Sequence, residues 1–190
     1  MLSDFLKNNI TSQANFVEYG YGQVEPNHLS AQRNGQIYAQ LPAAKSIAVL
    51  ENGMFAKYDY VNGEVNFSGE GEWMLVLNEV KLYDDAHRYY GKGNGLYAGY
   101  AMKSADFFDG VMVPRLFKTS VGDIYTTNCL VLAGNAGSEV DMGDIAEGDV
   151  LSPNANGFLA KDGDKSIEFK VVKVYTMPDG QEGVKLQRVK

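Results

Sequence analysis

The stretch "IEFKVVKVYTMPDGQEGVKLQRV", residues 167–189, decides the fold of this chain. Two runs rich in β-branched and aromatic residues flank Met-Pro-Asp-Gly, which is typical turn chemistry. Strict alternation in the first run divides its residues between two faces, with Ile167, Phe169, Val171, Lys173 and Tyr175 on one and Glu168, Lys170, Val172 and Val174 on the other. The stretch therefore predicts a C-terminal β-hairpin in which Lys173 and Tyr175 share the face of Phe169.

Similar turn chemistry punctuates the rest of the 190 residues. Asn-Gly occurs at 34–35, 52–53, 62–63, 94–95 and 156–157, and Asp-Gly occurs at 109–110, 162–163 and 179–180. Such pairs tolerate the positive φ that tight hairpin turns require, and short β-rich runs lie between them. Helical signals are confined to brief segments at residues 3–11 and 84–90. We therefore predict an all-β protein built from small β-barrel or sandwich units.

A short motif occurs twice, as "VGDIYTTN" at residues 121–128 and "EGDVLSPN" at residues 147–154. In both copies Gly-Asp precedes strand-forming residues, and an Asn can end the extended run. Because Asp side chains accept hydrogen bonds from nearby backbone groups, each copy is interpreted as a turn that starts a strand. The alternative is a catalytic pair, which would require Asp123 and Asp149 to converge on one pocket. Nothing in the sequence supports that convergence.

The chain divides into three predicted parts: an irregular N-terminal arm or extended loop (1–35), a β-rich domain (36–115) and a small C-terminal β-barrel (116–190). Residues 16–41 are polar, rich in Gly and Tyr, and weakly patterned. Long irregular segments are uncommon in compact domains unless they are functional or dock on a partner. Partner contacts are therefore predicted here, at Phe16, Tyr19, Tyr21, His28, Arg33 and Tyr38.

Composition narrows the function classes. A net charge of −7 argues against binding to a nucleic-acid backbone, which favours basic proteins. No apolar run approaches the ~20 residues that span a bilayer, and neither a membrane partner nor a signal peptide is expected. The single cysteine, Cys129, lies in the apolar context "TTNCLVL" and is interpreted as a small buried residue.

Three motifs follow one another in the C-terminal part. They are a strand start at Gly148-Asp149-Val150, a hairpin at Asn154-Ala155-Asn156-Gly157, and a strand with Phe169-Lys170-Val171-Val172 before the terminal hairpin. Over roughly residues 115–190, this series resembles the small β-barrel modules of tailed-bacteriophage virion proteins, especially head-decoration and other auxiliary capsid proteins. The resemblance implies a non-enzymatic, homo-oligomeric component of the virion, assembled in the host cytoplasm. Its implied partners are the major capsid protein or other virion subunits.

Other motifs favour structure over chemistry. The Gly-rich run at residues 91–100 lacks the strand-then-helix context of a phosphate loop. Residues 162–168 alternate oxygen-bearing side chains but lack the Gly and Glu that a calcium loop of the EF-hand type needs. Asp84, Asp85 and His87 lie together without a metal-ligand spacing. No catalytic residue, cofactor or metal site is therefore predicted, and an enzyme ranks third among the functions considered.

Tyrosine is abundant in the first hundred residues. Its large ring and polar tip suit protein interfaces and also sugar-binding platforms. The alternative to a virion structural protein is therefore a carbohydrate-binding or receptor-binding fibre or tail module that uses Tyr side chains and Trp73.

Overall fold

The computed structural model describes residues 22–47, 49–78, 101–103, 113–130, 145–177 and 182–190. These residues form thirteen β-strands and a single helical turn, α1 (Ala31–Asn34), so the all-β prediction is confirmed. The strands are β1 (Val24–His28), β2 (Ile37–Tyr38), β3 (Val49–Glu51), β4 (Phe55–Asp59), β5 (Glu64–Asn66), β6 (Met74–Val76), β7 (Ala101–Lys103), β8 (Leu116–Phe117), β9 (Ile124–Thr127), β10 (Val150–Pro153), β11 (Leu159–Ala160), β12 (Phe169–Thr176) and β13 (Glu182–Arg188).

The strands are arranged in open antiparallel sheets. One sheet has six strands in the order β1-β9-β13-β12-β10-β11, and a second has five in the order β2-β8-β6-β4-β5. The β3 and β7 strands form a separate pair. None of the sheets formed by the described strands closes into a barrel, so of the two predicted forms the structure follows the sandwich.

Buried aromatic rings join the two large sheets. Phe55 on β4 lies 5.2 Å from Phe169 on β12, measured between ring centroids, and Tyr125 on β9 lies 5.6 Å from Phe169 on its other side. All three side chains are fully buried. Burying one large apolar side chain contributes about 1.5–3 kcal/mol, so these rings hold the sheets together strongly.

Two hydrophobic clusters form the core of the described residues. The larger one contains Leu75 together with Leu186, and the smaller one contains Met74 together with Leu116. Each cluster thus draws side chains from both sides of residue 115. The predicted boundary there does not separate two independent cores.

The described part of the predicted N-terminal arm, residues 22–35, is joined to the six-stranded sheet. The β1 strand pairs with β9, with Val24 opposite Thr127, and so becomes an edge of the six-stranded sheet. Leu29 and Ala31 are buried in the larger hydrophobic cluster. These apolar side chains, scattered among polar neighbours, gave no clear period in the sequence. Residues 1–21 lie outside the described part of the chain.

The C-terminal hairpin is confirmed, but the predicted alternation along its first strand is not. Val171 pairs with Leu186, whereas Lys173 pairs with Lys185, so the register shifts by one residue at Val172. An extra residue in one strand is a β-bulge, and it moves every following side chain to the opposite face. The side chains that face the core are therefore Phe169, Val171 and the partly buried Val174, and not those of the alternating set that includes Lys173 and Tyr175. Lys173 and Tyr175 lie on the outer face.

The two Gly-Asp motifs form the same turn. Gly122 and Gly148 have φ values of 96° and 97°, which glycine adopts without strain. In the first turn the Asp123 N–H donates to the Ser120 carbonyl (3.0 Å), and the Ser120 N–H donates to Asp123 Oδ2 (2.9 Å). Asp149 and Ala146 repeat both bonds, at 3.1 and 2.9 Å. The prediction that each motif is a turn that starts a strand is confirmed.

Each turn also joins one strand of the C-terminal hairpin. The Gly122 N–H donates to the Arg188 carbonyl on β13, and the Gly148 N–H donates to the Val171 carbonyl on β12, both at 2.8 Å. Beyond the turns, Tyr125 lies opposite Leu186 and Leu151 lies opposite Phe169. The two motifs therefore occupy matching positions, one on each strand of the hairpin.

Gly157 offers a test of how closely the two sheets approach each other. The Phe55 N–H donates to its carbonyl at 2.6 Å, and a Cβ added at Gly157 would lie 2.2 Å from the Phe55 carbonyl oxygen. Its φ is +81°, while Gly63 has a similar φ of +68° with open space around it. We expect Gly63→Ala to lower the free energy of unfolding by about 1 kcal/mol through backbone strain alone. We expect Gly157→Ala to lower it by about 3 kcal/mol or more, because the backbone must also shift. Urea unfolding of both variants measures this, and equal losses would contradict the close approach.

Candidate functional site

Three of the predicted partner-contact residues lie outside the described part of the chain, namely Phe16, Tyr19 and Tyr21. His28 is exposed at the end of β1, opposite Ile124, and Arg33 is exposed in α1. Tyr38 is half-buried on β2, with its ring 5.4 Å from that of Tyr58. Since β1 and β2 belong to different sheets, His28 and Tyr38 do not share a sheet surface.

Asp123 and Asp149 do not form a catalytic pair. Asp123 is buried, and its carboxylate also accepts hydrogen bonds from the N–H and hydroxyl of Ser30, both at 3.0 Å. Asp149 forms an ion pair with Lys161 at 2.8 Å. A backbone hydrogen bond from Ala146 and this lysine hold the pKa of Asp149 below its usual value. The two turns start strands that stand three positions apart in the sheet, roughly 14 Å at the usual spacing, whereas paired catalytic carboxyls lie about 5–10 Å apart.

Trp73 is not a sugar platform. It is 3% exposed, and its indole N–H donates to Asp164 Oδ2 in the loop between β11 and β12. The Lys57 ammonium lies 4.6 Å from its ring centroid. The other carboxylate oxygen of Asp164 accepts hydrogen bonds from Ser166. Among the described residues there is no group of three side chains that could hold a metal ion.

Two further motifs lie outside the described part of the chain, namely the group Asp84, Asp85 and His87 and the Gly-rich run at residues 91–100. The interpretation that neither motif forms a functional site stays a prediction. Cys129 is described. It is 5% exposed, and burial raises the pKa of its thiol well above the usual value. A thiol held in its neutral form is a poor nucleophile, so the interpretation of Cys129 as a small buried residue is confirmed.

The outer side of the C-terminal hairpin is the most distinctive surface of the described residues. Lys170 and Lys173 on β12 and Lys185 on β13 lie on this side, and we name it the lysine face. Lys170 and Lys173 are exposed and Lys185 is half-buried. The ion pairs found among the described residues do not include any of the three. This gives a cationic surface on a chain whose net charge is −7.

On the lysine face, Tyr175 lies beside Lys173 and Lys185. The Lys173 and Lys185 ammonium nitrogens lie 5.8 and 5.7 Å from the centroid of its ring, within cation–π range. Its hydroxyl lies 3.0 Å from Glu25 Oε2 and 2.9 Å from Thr126 Oγ1. Burial, followed by the Glu25 carboxylate, raises the pKa of the Tyr175 hydroxyl. The ring is thus held in a defined position between two lysines.

Apolar groups border the lysine face. Val150 lies opposite Lys170, and Val172 is the extra residue of the bulge; each is 44% exposed. Exposed valines beside lysines combine apolar area with charge, as protein-binding surfaces do. Strict alternation along β12 does not predict this surface, because it places Lys173 and Tyr175 on the same face as Phe169. A signal was present: the apolar residues 169, 171 and 174 share one face only if a residue is inserted between them.

A second exposed feature is the hairpin tip between β4 and β5. Asp59 Oδ1 accepts hydrogen bonds from the N–H groups of Val61 and Asn62, both at 3.0 Å, and these bonds lower the pKa of Asp59. Tyr60 and Val61 project from this turn with 73% and 92% of their surface exposed. The Tyr60 ring lies 5.6 Å from that of Tyr58. The exposed Tyr60 ring is therefore presented on a turn that hydrogen bonds to Asp59 stabilise.

Comparison with known proteins assigns no relative. No protein-family model, curated protein or solved structure matches this chain. Within the described residues, no helix has the length and apolar character to cross a membrane.

Glu51 is an acid held inside the fold. It is 3% exposed at the end of β3, and its Oε2 accepts a hydrogen bond of 2.7 Å from the Gly22 N–H. Its other oxygen has no hydrogen-bond partner among the described residues. Burial raises the pKa of Glu51, because a carboxylate loses its hydration there. In the sequence, the following Asn-Gly suggested an exposed turn, so this buried acid was missed.

The Glu51 site predicts a pH dependence of stability. A raised pKa in the folded state means that the contribution of Glu51 is fully present below its unfolded-state value, near 4.5, and is lost as the pH rises through the folded-state pKa. Glu51→Gln keeps an acceptor for the Gly22 N–H and removes the ionisation. We expect its free energy of unfolding, relative to that of the unchanged chain, to be higher at pH 8 than at pH 4. Urea unfolding at both pH values is the measurement, with the exposed Glu147→Gln as the charge-matched control. A relative stability of Glu51→Gln that does not change with pH would contradict the assignment.

Proposed function

We propose that this chain is a structural subunit of a tailed-bacteriophage virion. In this proposal it is an auxiliary or decoration protein that binds the major capsid protein or neighbouring subunits and forms homo-oligomers. The C-terminal motifs that resemble virion proteins support it, and the confirmed turn-and-strand form of two of them is compatible with it.

The observation that carries the proposal is the lysine face with its border of Val150 and Val172. None of the described elements covers these exposed side chains. A partner that covers the apolar side chains and presents acidic groups to the lysines would complement both features of this surface. Docking on a neighbouring subunit would provide such a partner.

Binding through a sheet face is better supported than binding through a sheet edge. The edge strand β1 contains Pro26, which has no N–H to donate, and its pairing with β9 shifts register between Glu25 and His28. Prolines and irregular pairing are features that prevent strand addition at sheet edges. At the other edge of this sheet, β11 has two residues and offers little length for pairing.

A subunit of this kind would bind its particle through many equivalent weak contacts. A single face of this size gives a weak contact, but many copies on a symmetric lattice bind together through avidity. The predicted contacts at Phe16, Tyr19 and Tyr21 lie outside the described part of the chain and stay predictions.

Particle composition tests the proposal. We expect mass spectrometry of purified particles, from the phage that encodes this chain, to detect it at a fixed ratio to the major capsid protein. Lys185→Glu should reduce its incorporation several-fold because it reverses a charge on the lysine face. Lys45→Glu, an exposed lysine in the turn before β3, is the matched control and should be incorporated normally. Absence of the unchanged chain from particles would refute the proposed function.

A carbohydrate-binding module is the second candidate, and the exposed Tyr60 at the supported hairpin tip favours it. Aromatic rings bind the apolar faces of sugars, and this ring is the most exposed aromatic among the described residues. If this function holds, the chain binds glycans on an array, and Tyr60→Ala abolishes that binding while Val61→Ala preserves most of it. Binding that survives Tyr60→Ala would remove the hairpin tip as the sugar site.

A further inference from the structure

We propose that the lysine face binds an acidic polypeptide segment of a neighbouring subunit, with one carboxylate placed between Lys173 and Lys185 beside the Tyr175 ring. The inference deepens the proposed function and rests on it for the identity of the neighbour. The binding chemistry itself follows from the geometry of the face.

The first argument is the direct pairing of two like charges. Lys173 and Lys185 are cross-strand partners, and directly opposite residues have Cβ atoms about 4.5–5.5 Å apart. Like charges in this arrangement destabilise a sheet. Neither lysine takes part in the ion pairs found among the described residues. The Glu25 carboxylate lies on the same side of the sheet, against the Tyr175 hydroxyl, but forms no ion pair with either lysine among the described residues. A carboxylate from outside would therefore reduce the remaining repulsion and gain two favourable contacts.

The second argument is the fixed position of the groups. Tyr175 is held by Glu25 and Thr126, and the Thr126 hydroxyl in turn donates to Asn27 Oδ1 at 2.8 Å. Both lysine ammonium groups lie within cation–π range of this ring. Restricting the lysines before binding reduces the entropy that a partner must overcome to order them. The bulge at Val172 is what brings these groups to one surface.

The third argument favours a polypeptide over another polyanion. Val150 and Val172 border the lysines and offer apolar area that a peptide can cover with its own side chains. A nucleic-acid backbone presents charge without apolar side chains, so it would leave the two valines uncovered. An acidic peptide with apolar residues matches both properties of the surface.

Titration of the full chain with an oligoglutamate peptide at low salt tests the inference. We expect amide NMR signals of residues 173–175 and 183–185 to shift, and high salt to reverse the shifts. The double variant Lys173→Gln/Lys185→Gln should bind the peptide more weakly than the unchanged chain, by a factor of about ten at least. The control Lys45→Gln/Lys165→Gln has the same net charge, changes exposed lysines elsewhere, and should bind like the unchanged chain.

Thermal unfolding of the same variants gives an independent readout. Because Lys185→Gln removes the like-charge pair, it should keep or raise the unfolding midpoint of the free protein at low salt while weakening peptide binding. A lower midpoint would mean that the lysine stabilises the sheet itself, and this would overturn the inference.

Three other results would also overturn it: no shift with oligoglutamate, equal losses in both double variants, or tighter binding of a single-stranded oligonucleotide at the same residues. The outcome is separable from that of the proposed function. Peptide binding by a chain that is absent from particles would leave this site standing and refute the virion role. A chain that is present in particles but does not bind the peptide would support the virion role and refute the proposed peptide site.

Discussion

The extra residue at Val172 is the constraint on which both the core and the outer surface of the six-stranded sheet depend. Before it, Phe169 and Val171 point inwards; after it, Val174 takes the inward position and Lys173 and Tyr175 turn outwards. Without the insertion, a lysine and a hydroxyl would enter an apolar core at a cost of several kcal/mol. The same insertion that preserves the core therefore assembles the lysine face.

The hairpin that carries this bulge organises the whole sandwich. Each of its two strands accepts a backbone hydrogen bond from one Gly-Asp turn. The Phe169 ring on β12 packs near one ring from each of the two large sheets. At its end, the buried Arg188 guanidinium donates hydrogen bonds to Thr119, and to Glu72 at 2.9 Å. Glu72 also pairs with Lys118 at 2.9 Å. These contacts tie the end of the hairpin to both neighbouring segments of the chain.

The charge of the lysine face differs in sign from the net charge of the chain. The chain carries an excess of acidic residues, which limits non-specific association, yet one sheet face carries three lysines, two of them beside the Tyr175 ring. In the proposed function, such a local reversal of sign would direct a partner of opposite charge to this face and orient it. Buried polar groups elsewhere have structural roles. Asp123 accepts hydrogen bonds that stabilise a turn, Glu51 accepts a hydrogen bond from the Gly22 N–H just before β1, and Cys129 is buried in the core.

Local chemistry in the sequence was enough to determine the all-β class, the two Gly-Asp turns and the terminal hairpin, because each depends on backbone preferences of neighbouring residues. It could not determine that residues 22–35 join the sheet, since β1 pairs with β9 about a hundred positions away. Nor could it determine the lysine face, because one inserted residue reverses alternation and only packing against the opposite sheet decides where it is inserted. Local preferences set the turns and strands, whereas burial of apolar side chains from distant strands decided which faces meet and which remain open to a partner.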